Sequence, residues 1–277
     1  MRSNDITMDP VPFYQVDAFT DKPFRGNPAA ICLMSTRLED SLCLDIAAEM
    51  NLSETAFAEE ESEGVYRLRW FTPRREVPLC GHATLACAHV VFTELGYRGP
   101  AITFKTLSGE LYAYRDPGGV LMDFPRNDPE PVEPIPGILA GLGVERPLDF
   151  QYSYSNQKLV VEVEDEEAVK AVSPDFRSLL SVENTLGWRG VVVTSRSRDY
   201  DFVSRYFAPW MGVDEDPVTG SAHTVLAPYW AAKLGRTSLR AYQASRRGGS
   251  LRLELGDRVK MVGGCVTVVR GFLEFSS

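Results

Sequence analysis

Histidine is scarce in this 277-residue chain, with only His82, His89 and His223. A metal centre built mainly from imidazoles is therefore hard to assemble. Cysteine is sparse too: Cys32, Cys43, Cys80, Cys87 and Cys265 make an odd count of five. None forms a C-x-x-C pair, and no apolar export signal precedes them. Reduced thiols in a cytoplasmic protein are expected, not a disulfide framework. Long apolar runs are missing as well, since nothing approaches the ~18 residues that span a bilayer. Positive charge is in deficit: 29 Lys and Arg against 38 Asp and Glu leave a net −9. A nucleic-acid binder needs a basic field to displace counterions. Neither nucleic acid nor an anionic membrane is therefore an expected partner. There is no P-loop and no dinucleotide glycine fingerprint.

What is present is ordinary globular material, 44% hydrophobic and 24% charged. The length suits one large domain or two medium ones. Residues 1–9 read as a disordered polar tail. Strands are expected at 13–19, 29–33, 65–71, 102–106, 110–115 and 120–124, with an amphipathic helix at 39–50 ended by Asn51. Glu54 falls in an extended segment at 53–57. A buried helix begins at Gly81 and runs to a Gly96 cap. The stretch 127–137 holds four prolines and is the best linker candidate. Beyond it, strands are expected at 158–163, 190–194, 202–207, 251–255, 259–262 and 265–269. Helices are expected at 175–180 and from Gly220 to Leu234, ending at Gly235.

The two apolar helices are related. GHATLACAHVVFTELG from Gly81 and GSAHTVLAPYWAAKLG from Gly220 are both Gly-to-Gly segments, offset by 139 residues and identical at five positions. Upstream, Arg69-Trp70-Phe71-Thr72-Pro73 mirrors Arg205-Tyr206-Phe207-Ala208-Pro209. Duplication of one α+β unit is expected, each a curved sheet around a helix that is apolar nearly all round. The halves are set at 10–126 and 127–265, and the last strand, at about 266–277, can complete the first.

Several residues carry chemistry in this frame. Free amides at the two helix starts, with Gly81 and Gly220 letting a ligand come close, suit a carboxylate-bearing small molecule in a cleft between the halves. His82 follows Gly81 and is a candidate proton carrier near neutral pH. In Asp216-Pro217-Val218-Thr219-Gly220-Ser221, the hydroxyls of Thr219 and Ser221 can cap the helix or donate to a ligand, and Asp216 can be a simple turn acid. Glu54, entering an apolar strand, would have its pKa raised toward the working range of a general acid or base. A surface position on an edge strand is the plainer alternative. Cys80 sits where a helix start lowers a thiol pKa, but 216–220 offers no second cysteine. Cys80, His82, Cys87 and His89 match no zinc spacing, so no metal is expected.

Taken together, the chain resembles the PhzF-like family of phenazine-biosynthesis proteins. The matching pieces are Val16-Asp17-Ala18-Phe19 with Gly26-Asn27-Pro28, then Asn51-Leu52-Ser53-Glu54-Thr55-Ala56-Phe57, Arg69 to Pro73, Leu79-Cys80-Gly81-His82-Ala83-Thr84, and Glu215-Asp216-Pro217-Val218-Thr219-Gly220-Ser221-Ala222. The resemblance implies an α+β, diaminopimelate epimerase-like fold of two similar domains, each a rolled sheet around a central helix. It also implies a homodimer. The family's characterised member isomerises trans-2,3-dihydro-3-hydroxyanthranilate without a cofactor. By the same resemblance Glu54 is the proton-transferring carboxylate, assisted by His82, Asp216 and Ser221. Asn27, Ser53, Gly81, Thr219 and Gly220 would contact substrate. Two other readings stay open: a racemase or epimerase with Cys80 as one base, and a binding protein of the same fold without chemistry.

Overall fold

The computed structural model describes residues 10–274, and the tail expected at 1–9 lies outside them. The chain divides into two compact units, residues 10–122 with 264–274 and Asp123–Gly263.

The first unit runs β1 (Val11–Ala18), β2 (Asn27–Met34), α1 (Asp40–Met50), β3 (Thr55–Ser62), β4 (Val65–Phe71) and the two-residue β5 (Glu76–Val77). Then come α2 (Gly81–His89), a π-helical segment at Val90–Glu94, β6 (Ala101–Thr106), β7 (Gly109–Asp116) and β8 (Gly119–Pro125), in which the division falls. β2 and β3 are parallel across α1, and β4 and β6 are parallel across α2. A parallel pair needs such a crossover, whereas tight turns leave the remaining neighbours antiparallel. The closing strand, Cys265–Leu273, pairs antiparallel with β1.

α2 has no solvent face: every residue from His82 to Ala88 is buried. The sheet accordingly surrounds it, with β1, β2, β3 and the closing strand in contact. α1 buries one side only, Cys43, Ile46 and Ala47, in a cluster that includes Phe57 and Phe71. It stops at Asn51, which takes the left-handed conformation at φ 49°.

The second unit repeats this scheme. It begins with β9 (Glu130–Pro131), α3 (Pro136–Leu142), β10 (Asp149–Ser153) and β11 (Lys158–Glu162). Two short helices, α4 (Glu166–Ala171) and α5 (Phe176–Ser181), lead to β12 (Gly190–Arg196), which is parallel to β11. Next are β13 (Phe202–Ala208), β14 (Val213–Asp216), α6 (Gly220–Leu234), β15 (Ser238–Gln243), β16 (Gly249–Leu255) and β17 (Arg258–Gly263). β13 and β15 are parallel across α6, whose residues Ala222–Ala231 are all buried. Pro228 lies inside α6 and cannot donate to the Thr224 carbonyl. Asn127 supplies that bond instead, its amide donating to Thr224 O at 3.3 Å.

One device occurs in both units. Arg69 forks onto Glu76 at 2.7 and 2.8 Å, its guanidinium 4.8 Å from the Phe71 ring centre. Arg205 forks onto Glu215 at 2.7 and 3.0 Å and lies 4.8 Å from the Phe207 centre. Arg and Phe two residues apart on a strand share a face, which is why the Arg-x-Phe spacing survives in both halves.

Two expectations need correction, and one strand is unanticipated. The proline-rich 127–137 is no free linker, because β9 pairs with β10 and Pro136 opens α3. The helix from Gly81 does not stay α-helical to Gly96 but widens into the π segment after His89. β14 (VDED) is too acidic to read as a strand, and it is held there by pairing with β13.

Candidate active site

In the first unit, the loop after α1 delivers Glu54 one residue ahead of β3, and its carbonyl accepts from the Ala30 amide at 3.4 Å. α2 starts from Cys80, whose extended backbone (φ −144°) turns the chain into the helix. The Thr84 amide and hydroxyl both donate to the Cys80 carbonyl, at 3.1 and 2.6 Å, fixing that turn. Gly81 and His82 then form the first turn.

This placement gathers three side chains. His82 Nε2 lies 3.6 Å from a Glu54 carboxylate oxygen, and His82 Nδ1 lies 3.5 Å from Cys80 Sγ. One donor atom from each residue falls within 4.8 Å of the other two. The Glu54 side chain is 21% exposed and that of His82 8%, so Glu54 keeps part of its surface open while the imidazole is buried. Burial pulls the His82 pKa down to about 4, with a hydrogen bond to the Pro28 backbone opposing. This corrects the expectation of titration near neutral pH, where the ring is uncharged. It can hold a ligand through an N–H or accept a proton, but it brings no positive charge of its own. Glu54 is also not sunk in an apolar strand, as the sequence suggests. It precedes a central one, β3, which pairs with both β2 and β4.

The rejected zinc set of Cys80, His82, Cys87 and His89 does not assemble as such. The carboxylate, thiol and imidazole of Glu54, Cys80 and His82 are the donors close enough to share an ion, a set that sequence spacing does not show. Asn27 opens β2 beside Pro28 and is fully buried, and Ser53 is partly exposed next to Glu54. The turn into Asn27 requires glycine. Gly26 has φ +64°, and a Cβ there would sit 2.0 Å from the Ala18 carbonyl oxygen.

The second unit holds the other group. Asp216 ends β14, Thr219 is the N-cap of α6, and Gly220 and Ser221 form its first turn. The Thr219 hydroxyl does not cap the helix, contrary to expectation. It donates to Asp216 Oδ2 at 2.5 Å. The Thr219 amide goes instead to Gln243 Oε1 at 2.8 Å, and Gln243 Nε2 donates to the Asp216 carbonyl at 2.6 Å and to Thr219 Oγ1 at 3.2 Å. Gln243, fully buried at the end of β15, clamps the turn from 24 residues away. Its neighbours in sequence read as a strand, and no local pattern marks this role. At the 139-residue offset Thr219 stands where Cys80 does, and Ser221 where His82 does. The position for a second thiol is therefore a hydroxyl.

A helix-centred α+β unit occurring twice, with a carboxylate, a thiol and an imidazole gathered at the start of one central helix, is an arrangement of the epimerase-like fold class. A hydroxyproline epimerase from Agrobacterium vitis shares the fold, at TM-score 0.58 and 12% identity over 100% of this chain and 95% of that one. The model of the phenazine biosynthesis-like (PhzC–PhzF) family matches residues 16–271, and the chain belongs to that family. An uncharacterized isomerase of Pseudomonas aeruginosa is 48% identical over 261 residues, covering 94% of this chain and 97% of its own. A PhzF family protein of Enterococcus faecalis superimposes with TM-score 0.90 at 40% identity, over 95% of this chain and 99% of that one.

Proposed function

We propose that the protein moves a proton between carbons of a small carboxylate substrate without a cofactor, with Glu54 as the acid–base group. Glu54 takes a proton from one carbon and returns it to another. His82, uncharged at neutral pH, hydrogen-bonds the substrate, and Asp216 and Ser221 hold it. The observation that carries this reading is the Glu54–His82 approach of 3.6 Å at the start of α2, with the Glu54 side chain still partly exposed. General acid–base transfer of this kind contributes roughly 10²–10⁴-fold in rate.

Racemisation by Cys80 is the weaker reading. Thr219 occupies the matching position in the second unit, so a thiol pair is not available there. The test is a panel of small carboxylates beginning with trans-2,3-dihydro-3-hydroxyanthranilate, assayed with wild type and Glu54→Gln. The reading expects turnover lost in the variant and binding of the same compound retained by calorimetry. Near-wild-type turnover in Glu54→Gln overturns it.

A further inference from the structure

We propose that Lys158 is the positioning residue of the Asp216–Ser221 group: through Asn156 it fixes the Ser221 turn, and it sets a positive charge behind that turn for an anionic substrate group. The inference rests on the reading of Asp216 and Ser221 as substrate-holding residues.

Lys158 opens β11 and is 5% exposed. A buried ammonium is costly unless anions or strong acceptors surround it. Its polar contacts here are neutral. Nζ donates to Asn156 Oδ1 at 2.8 Å, lies 3.5 Å from the Asn156 carbonyl, and stands 5.3 Å from the centre of the Tyr206 ring. Among the described residues no carboxylate is in ion-pair contact with it. The amide of Asn156 continues the chain. Its Nδ2 donates to the Ser221 carbonyl at 2.8 Å and to Thr224 Oγ1 at 3.0 Å. The link from ammonium to the first turn of α6 is thus a single side chain. The ring beneath the ammonium belongs to Tyr206, which pairs in register with Asp216.

Two charged groups act on Lys158, Arg189 and Asp216. Burial and Arg189, ahead of β12, push its pKa down, and Asp216 on β14 pushes it up, leaving it at about 8. The charge is therefore present at neutral pH and lost in mild alkali. A buried cation whose direct contacts are all neutral, and which is wired to the turn read as substrate-holding, is placed to meet negative charge arriving with a ligand.

The test has two arms. Carbonyl-carbon NMR of the full chain follows Asn156 and Ser221 from about pH 6 to about pH 10. Wild type should show a shared midpoint near pH 8. Lys158→Met should abolish it, and Lys158→Arg should remove it from this range, since Arg stays charged. Affinity for anthranilate, a planar amino-carboxylate, should fall about tenfold in Lys158→Met and be largely restored in Lys158→Arg. A midpoint that persists in Lys158→Met, or equal affinity in all three proteins, overturns the inference. The Glu54→Gln assay does not involve Lys158. Loss of turnover there beside unchanged Lys158→Met affinity would leave the isomerase reading standing and remove only this one.

Discussion

Acidification should destabilise the fold well above the usual carboxylate range, because two histidines are buried uncharged. His82 and His223 are each held at about 4 by desolvation, against 6.5 for a free histidine. His223 is fully buried, with Nδ1 at 2.8 Å from the Thr219 carbonyl and its ring stacked 5.9 Å from Phe202. Both folded values are depressed, so the unfolded chain binds protons first as pH falls. Stability is intact above about pH 6.5 and drains as pH approaches about 4. At ~1.4 kcal/mol per pH unit, each ring withdraws about 3 kcal/mol over that interval, a large share of an ordinary domain's stability. Carboxylates held low by partners, such as Asp149 beside Lys233 and Tyr229, withdraw theirs further down. The window between is left to the histidines. Urea unfolding at about pH 7 and about pH 4.5, followed by tryptophan fluorescence, measures the loss. Three of the four tryptophans, Trp188, Trp210 and Trp230, lie in the second unit with His223. His223→Gln should shrink the pH dependence seen by fluorescence by most of one histidine's share, whatever it does to stability at neutral pH. A flat profile between the two pH values, or an undiminished slope in His223→Gln, refutes the reasoning.

Other outcomes follow from the same geometry. Cys80→Ala should keep turnover within about fivefold of wild type if, as proposed, Glu54 is the base and the thiol only a neighbour of His82. Kinetics on the responding carboxylate checks this, and near-total loss would favour the thiol reading. Gln243→Leu removes three hydrogen bonds from a buried turn and should cost about 2–3 kcal/mol in urea unfolding. It should also raise KM more than it lowers kcat, because it loosens Asp216 and Thr219 without touching Glu54.

How much of the fold and site is legible in the sequence depends on how local each signal is. α2 and α6 read as buried because they lack a polar stripe, and Gly235 marks the end of α6 through its left-handed turn (φ 67°). The Arg-x-Phe pair announces duplication, since spacing on a strand is preserved in the chain itself. The meeting of Glu54 with His82 is not legible. It depends on β3 and the start of α2 lying side by side, a matter of sheet pairing across 28 residues. Gln243 and Asn156 are invisible for the same reason: a buried amide is recognised by what it bonds, not by its neighbours in sequence. The π segment after His89 has no signature, because its residues Val90-Val91-Phe92 are as apolar as the α-helix before them. β14 escapes sequence reading because its acidic residues carry little strand propensity, and what holds it is non-local: pairing with β13, the Arg205–Glu215 fork and the Gln243 bond to Asp216.

The central claim is that the Glu54 carboxylate moves the proton. Its most direct test is the reaction run in deuterium oxide, with mass spectrometry of substrate and product for wild type and Glu54→Gln. Wild-type product should carry deuterium at the carbon that receives the proton, or show partial retention from direct return by Glu54. Glu54→Gln should give no product and no exchange into bound substrate. Exchange by Glu54→Gln at the wild-type rate would contradict the claim and move the base elsewhere.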